Sequence, residues 1–216
     1  MKKVAVILSG CGVFDGAEVN EAVLTMLYLE KADAQYQCFA PNIEQFHVIN
    51  HLTGEEMDER RNVLVESARI ARGEVKDLET LNADDFDALI LPGGFGVAKN
   101  LCDFAIKGAK STVLESVKVA CTEFSRQQKP IAYLCIAPAL IGHIHPPGTL
   151  ATIGNDVETA AAIDTLGAKH QQCEVSDIVV DDNEKVISTP AYMLANSVLE
   201  AATGIEKAVN KLVAMS

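Results

Sequence analysis

Paired cysteines are what the sequence most conspicuously lacks. Its six, at 11, 38, 102, 121, 135 and 173, form no Cys-x-x-Cys pair and no zinc spacing. They read as free thiols of a reducing compartment, with the cytoplasm as the expected address. Basic charge is also scarce: 18 Lys and Arg stand against 30 Asp and Glu, a net charge of −12. That balance argues against a general nucleic-acid or anionic-membrane surface. No stretch approaches the ~20 apolar residues of a membrane span. The opening run Val4–Leu8 stops at Ser9-Gly10, short of the ~7–15 apolar residues of an export signal. There is no internal repeat, low-complexity tract or linker, so residues 1–216 read as a single domain with one sizeable core.

What is present centres on Pro130–Ala139, Pro-Ile-Ala-Tyr-Leu-Cys-Ile-Ala-Pro-Ala. Ile131–Leu134 has the length and composition of a fully buried strand. Cys135 follows, and Pro138 suits a first helical turn, where its missing N–H would have had no partner. Strand, sharp turn and helix make a nucleophile elbow, with the thiol at a helix N-terminus whose partial positive charge favours a thiolate. The plainer alternative is an inert buried cysteine closing a strand.

A helix expected over about Ala17 to Glu30 carries the second informative residue. Val19, Ala22, Val23, Met26 and Leu27 form one apolar stripe, and Ala17, Leu24 and Tyr28 another on the opposite side. A helix apolar on two faces is expected to be covered on both, which hints at a homodimer face. Glu21 lies inside the second stripe, where desolvation would raise its pKa. Glu18, one turn earlier, is expected to be partly solvated.

The remaining strands are Val4–Leu8, Gln35–Ala40, an edge strand within Gly73–Leu78, Phe86–Leu91 and Leu150–Ile153, with a hairpin over Ile178–Ser188. Helices are expected over Asn62–Ala71, Val97–Leu101, Thr112–Gln127 and Asp156–Leu166. A closing helix over Ala191–Thr203 is expected to be capped by Thr189-Pro190 and interrupted at Gly204. Residues 41–60 show no period, and a loop of that length suggests a segment that shapes a site or an interface. Cys38 and Cys121 fall on core faces. His143 and His145 have no third ligand beside them and read as surface residues, so no metal is expected.

Strands alternating with helices indicate one α/β domain around a largely parallel sheet. Sites in such sheets lie beyond the strand C-termini. The loop containing Cys11 and Gly12, the pair Gly93-Gly94 and Cys135 should therefore gather at one edge. Gly10, Gly12 and Gly16 lack the G-x-G-x-x-G spacing, and strand Gln35–Ala40 ends without a ribose-binding acid. No dinucleotide or other cofactor is expected.

An elbow cysteine, a glycine pair after a core strand and a glutamate from the first helix resemble the ThiJ/PfpI superfamily, related to class I glutamine amidotransferases. Ser-Gly-Cys-Gly-Val-Phe-Asp-Gly (9–16), Val-Ile-Asn-His-Leu-Thr-Gly-Glu (48–55) and Leu-Pro-Gly-Gly-Phe-Gly-Val-Ala-Lys-Asn-Leu (91–101) are similar to its ElbB branch. So are Cys-Ile-Ala-Pro-Ala (135–139), Thr-Ile-Gly-Asn-Asp (152–156) and Thr-Pro-Ala-Tyr-Met-Leu (189–194). That branch is associated with isoprenoid biosynthesis and described as a glyoxalase.

The resemblance implies a flavodoxin-like three-layer sandwich and a cofactor-independent glyoxalase acting on a small dicarbonyl. Cys135 would be its nucleophile and Glu21 its acid–base group, with N–H groups near Gly94 and Ile136 stabilising an oxyanion. In several relatives a histidine follows the cysteine; here Ile136 does, which puts amidase chemistry in doubt. A non-enzymatic redox-sensing or binding protein that uses the same cysteine, and an amidotransferase-like subunit without its triad, are the alternatives.

Overall fold

Short, wholly apolar runs become strands here because only the middle of a covered parallel sheet buries both of their faces. The computed structural model describes residues 1–216. It begins β1 (Lys3–Ile7), α1 (Val19–Lys31), β2 (Gln35–Ala40), β3 (Val48–Ile49) and β4 (Glu56–Met57). Next come α2 (Val63–Ile70), β5 (Val75–Asp77), β6 (Ala88–Leu91), α3 (Phe104–Lys107), α4 (Glu115–Arg126) and β7 (Ile131–Leu134). The chain continues through α5 (Ile141–Ile144), β8 (Leu150–Ala151), α6 (Val157–Leu166) and β9 (Lys169–His170). It closes with β10 (Val179–Asp181), β11 (Val186–Thr189) and α7 (Val198–Met215).

The main sheet runs β10-β11-β7-β6-β1-β2-β5, parallel throughout except for the β10–β11 hairpin. With helices flanking it, this is the expected flavodoxin-like α/β architecture. Every residue of β6 and β7 is buried, as is β1 after Lys3. Strand order reverses around β1, which pairs with β2 on one side and β6 on the other. A crevice opens beyond the strand ends at such a reversal. The segments leaving β1, β6 and β7 bring Glu21, Gly93 and Cys135 there.

Several expectations are corrected. Within the single chain α1 covers one of its two apolar stripes, burying Leu24, Thr25 and Tyr28 with Glu21, and leaves Val19, Val23 and Leu27 of the other exposed, which does not bear on a dimer face. Glu18 is buried, because it caps α1 by accepting the Glu21 N–H at 2.6 Å. The closing helix is not capped at Thr189-Pro190. Residues 191–193 form a separate turn, and α7 starts after Ser197, whose hydroxyl accepts the Glu200 N–H.

Gly204 does not break α7 either. A β-carbon there would lie 2.6 Å from Thr189 Oγ1, so the glycine serves close helix–sheet approach. His145 is buried rather than on the surface, held between Tyr133 Oη at 2.9 Å and Ser125 Oγ at 3.3 Å. Leu150 and Ala151 pair with β9 in a separate two-stranded sheet. No helix is long and apolar enough to cross a membrane.

Candidate active site

Cys135 extends β7 by one rung, donating its N–H to Thr189 O at 3.0 Å. The backbone then turns through φ = +58°. For an L-residue with a β-carbon that conformation costs about 1–2 kcal/mol, so the elbow is strained. A four-residue 3₁₀ turn, Ala137–Leu140, follows with Pro138 near its start, and then the four-residue α5. The helix expected to activate the thiol is thus too short to supply much of a macrodipole.

Burial dominates instead. Cys135 is 7% exposed. Desolvation first, and the Glu21 carboxylate second, push its thiol well above the usual range. The Gly94 and Ile136 N–H groups beside the sulfur oppose that rise without cancelling it. The expected low-pKa thiolate is therefore corrected to a buried thiol beside a proton acceptor.

Glu21 is fully buried. Its Oε2 accepts the Gly93 N–H at 2.7 Å and its Oε1 accepts the Tyr192 N–H at 3.1 Å. Burial raises its pKa to about 7, opposed by those two N–H groups and, less, by the neighbouring Cys135 thiol. The stripe of α1 pointed to this residue; nothing local pointed to its second backbone donor. Tyr192 is presented by Ala191, which adopts φ = +44°. That arrangement depends on residues 191–193 leaving the helix expected for them.

Gly93 separates the pair. A β-carbon on it would overlap the Cβ of Cys135 and lie 2.8 Å from Glu21 Oε2. Its N–H is occupied by Glu21, which leaves Gly94 and Ile136 as the donors facing sulfur. Cys135, Glu21, Gly93, Gly94 and Ile136 are thus together.

Cys11 and Gly12 are not in this group. Cys11 is half-buried, its thiol raised by burial and then by Glu66. Gly12, at φ = +129°, seats the His51 ring: a β-carbon there would be 2.6 Å from Nε2. The same imidazole accepts the Phe14 N–H at 3.1 Å, and Asp15 Oδ2 accepts the Ile49 N–H at 2.7 Å. Residues 41–60 therefore clamp the glycine loop.

That loop delivers Val13 to a cavity of about 250 Å³ whose wall includes Cys135 and Ile136. Phe95, Phe104 and Met193 also line it. These residues come from turns and short helices with no period, so sequence patterning could not assign them. No cluster of three or more His, Cys, Asp or Glu is arranged to hold a metal ion.

No family model matches the chain. A human protein, glutamine amidotransferase-like class 1 domain-containing protein 3, mitochondrial, is 43% identical over 224 residues, covering 99% of this chain and 83% of that one. The chain belongs to the glutamine amidotransferase-like class 1 family. A crystal structure of an isoprenoid biosynthesis protein with an amidotransferase-like domain from Ehrlichia chaffeensis superposes with a TM-score of 0.90. It is 40% identical and covers 98% of this chain and 99% of its own.

Glyoxalase III from Candida albicans shares the fold at a TM-score of 0.64 and 13% identity, over 99% of this chain and 97% of its own. Family membership corrects the expected address. The human relative and ES1 proteins of rat and zebrafish, 42% and 35% identical, are all named as mitochondrial, against a cytoplasmic location. Free thiols speak for a reducing compartment without distinguishing one such compartment from another.

Proposed function

We propose that the chain is a cofactor-independent glyoxalase of the ElbB branch, converting a 2-oxoaldehyde and water into a 2-hydroxy acid. The observation that carries this reading is the placement of Cys135 and Glu21 against the same glycine, Gly93, with Cys135 in the wall of an apolar cavity. Glu21, with its pKa near 7, can both take and return a proton at neutral pH.

As Cys135 Sγ bonds to the aldehyde carbon, its proton passes to Glu21 and then to the aldehyde oxygen, leaving a neutral hemithioacetal. The Gly94 and Ile136 N–H groups hold negative charge at sulfur while the proton is away. The Glu21 carboxylate next removes the proton from C1, giving an enediolate, and returns it to C2 while the C1 hydroxyl proton passes to the C2 oxygen. The product of that shift is a thioester. Water cleaves it, releasing the 2-hydroxy acid and restoring the thiol. Glyoxal would give glycolate, and methylglyoxal lactate.

The competing readings fit less well. Redox-sensing cysteines are exposed and of low pKa, whereas this thiol is buried and raised. Glutaminase chemistry would use a histidine, and none lines the cavity. The test is a multiple-turnover assay with methylglyoxal and with larger 2-oxoaldehydes. Many equivalents of 2-hydroxy acid per chain from any of them, abolished in Cys135→Ser, support the proposal; one equivalent or none from all of them refutes it.

A further inference from the structure

Methylglyoxal presents a single methyl group beyond its two carbonyls, and the cavity is much larger than that. Its volume is about 250 Å³, and nine of its eleven lining residues are hydrophobic. The other two are Gly94 and Thr159, so the polar side-chain atoms are the hydroxyls of Thr159 and Tyr192 besides the thiol, and no Lys, Arg, His, Asp or Glu contributes to the lining. An apolar protein cavity of about 150 Å³ is enough to admit benzene. The space beside Cys135 can therefore take a ring or a branched chain together with the dicarbonyl. A carboxylate or phosphate entering it would lose water and meet no cation.

We infer that the substrate class of this site is an uncharged 2-oxoaldehyde carrying an aryl or branched-alkyl substituent of about four to six carbons. The inference rests on the glyoxalase reading and extends it to specificity. Val13, Phe95, Phe104, Ile136 and Met193 bury the substituent, while the aldehyde carbon meets Cys135 Sγ. Methylglyoxal is then a poor substrate, because it reaches the thiol without filling the walls. Ala105, an exposed residue of α3 at the lining, is a position where added bulk narrows the space without disturbing the core.

The test compares kcat/KM for methylglyoxal, 4-methyl-2-oxopentanal, phenylglyoxal and the carboxylate-bearing 4,5-dioxopentanoate. Each value is normalised to that aldehyde's hemithioacetal formation with a free thiol. The two bulky apolar compounds should exceed methylglyoxal by about ten-fold or more, the discrimination typical of hydrophobic pockets. The carboxylate should fall at least as far below it. Ala105→Leu should lower the ratio of phenylglyoxal to methylglyoxal by about ten-fold.

Equal normalised values, or acceptance of the carboxylate, overturn the inference. If no dicarbonyl turns over, the glyoxalase reading fails. Specificity is then decided by protection of Cys135 from N-ethylmaleimide, located by mass spectrometry. Protection at lower concentrations of the bulky apolar aldehydes supports the inference, and protection independent of the substituent overturns it.

Discussion

Gly93 donates its N–H to Glu21 Oε2 at 2.7 Å, and a side chain on it would overlap Cys135. Its role is thus steric and electrostatic at once. Gly93→Ala should push either the thiol or the carboxylate out of its place beside the other. We expect a stability loss of about 1–3 kcal/mol from overpacking, measured by urea unfolding, and a much larger proportional loss of turnover. Unchanged dicarbonyl turnover in a folded Gly93→Ala protein would remove the pair from the mechanism.

Glu21→Gln keeps the side chain's size but cannot shuttle a proton. Turnover should fall roughly 10²–10⁴-fold while Cys135 still alkylates. The ionised carboxylate raises the thiol's pKa, so the pH midpoint for Cys135 alkylation should fall in Glu21→Gln. A midpoint that rises would mean that Glu21 is protonated beside the thiol and lowers its pKa.

Thiol labelling should follow exposure and burial. Cys11 is half-buried, the most accessible of the six, and limiting iodoacetamide at neutral pH should mark it no more slowly than Cys135. Cys38, Cys102 and Cys121, all pushed to about 12 by burial, should stay unlabelled in the folded protein. Peptide mass mapping reads the order directly. Dominant labelling of Cys135 at neutral pH would mean that its raised pKa is wrong.

Two buried groups should tilt stability in opposite directions with pH. Glu21 titrates near 7 when folded, against an ordinary 4.5, so the folded chain binds the extra proton and stability falls as pH rises through that window. Burial lowers His145 from 6.5 to about 4, so the unfolded chain binds the extra proton and stability falls as pH drops from 6.5. Each slope approaches about 1.4 kcal/mol per pH unit, and between about pH 4.5 and 6.5 they oppose one another. Relative to wild type, Glu21→Gln should gain stability with rising pH and His145→Gln with falling pH. Denaturant unfolding across pH 4–8 checks both signs. Parallel profiles for wild type and either variant would count against that residue's titration.

The parts of the site legible in the sequence were those marked by local chemistry. Cys135 follows an apolar run and precedes a proline, and Glu21 interrupts an apolar stripe. Gly93 and Gly94 follow a strand whose burial its composition announces. What could not be read depended on distant partners. His145 is buried because Tyr133 and Ser125 bond its ring. Gly204 looks like a helix breaker until Thr189 is seen against it. The thiol's activation depended on the length of the following helix, which composition left open, and burial proved the larger effect.

The left-handed backbone at residue 135 sets two selective demands against each other. Glycine adopts φ = +58° without the penalty a β-carbon brings, so the local backbone favours a residue with no side chain there. On the proposed reaction, only the thiol's chemistry makes cysteine worth retaining at that point. A lineage released from this reaction should therefore drift toward glycine at position 135, and the identity of that residue alone would report whether a descendant still needs its nucleophile.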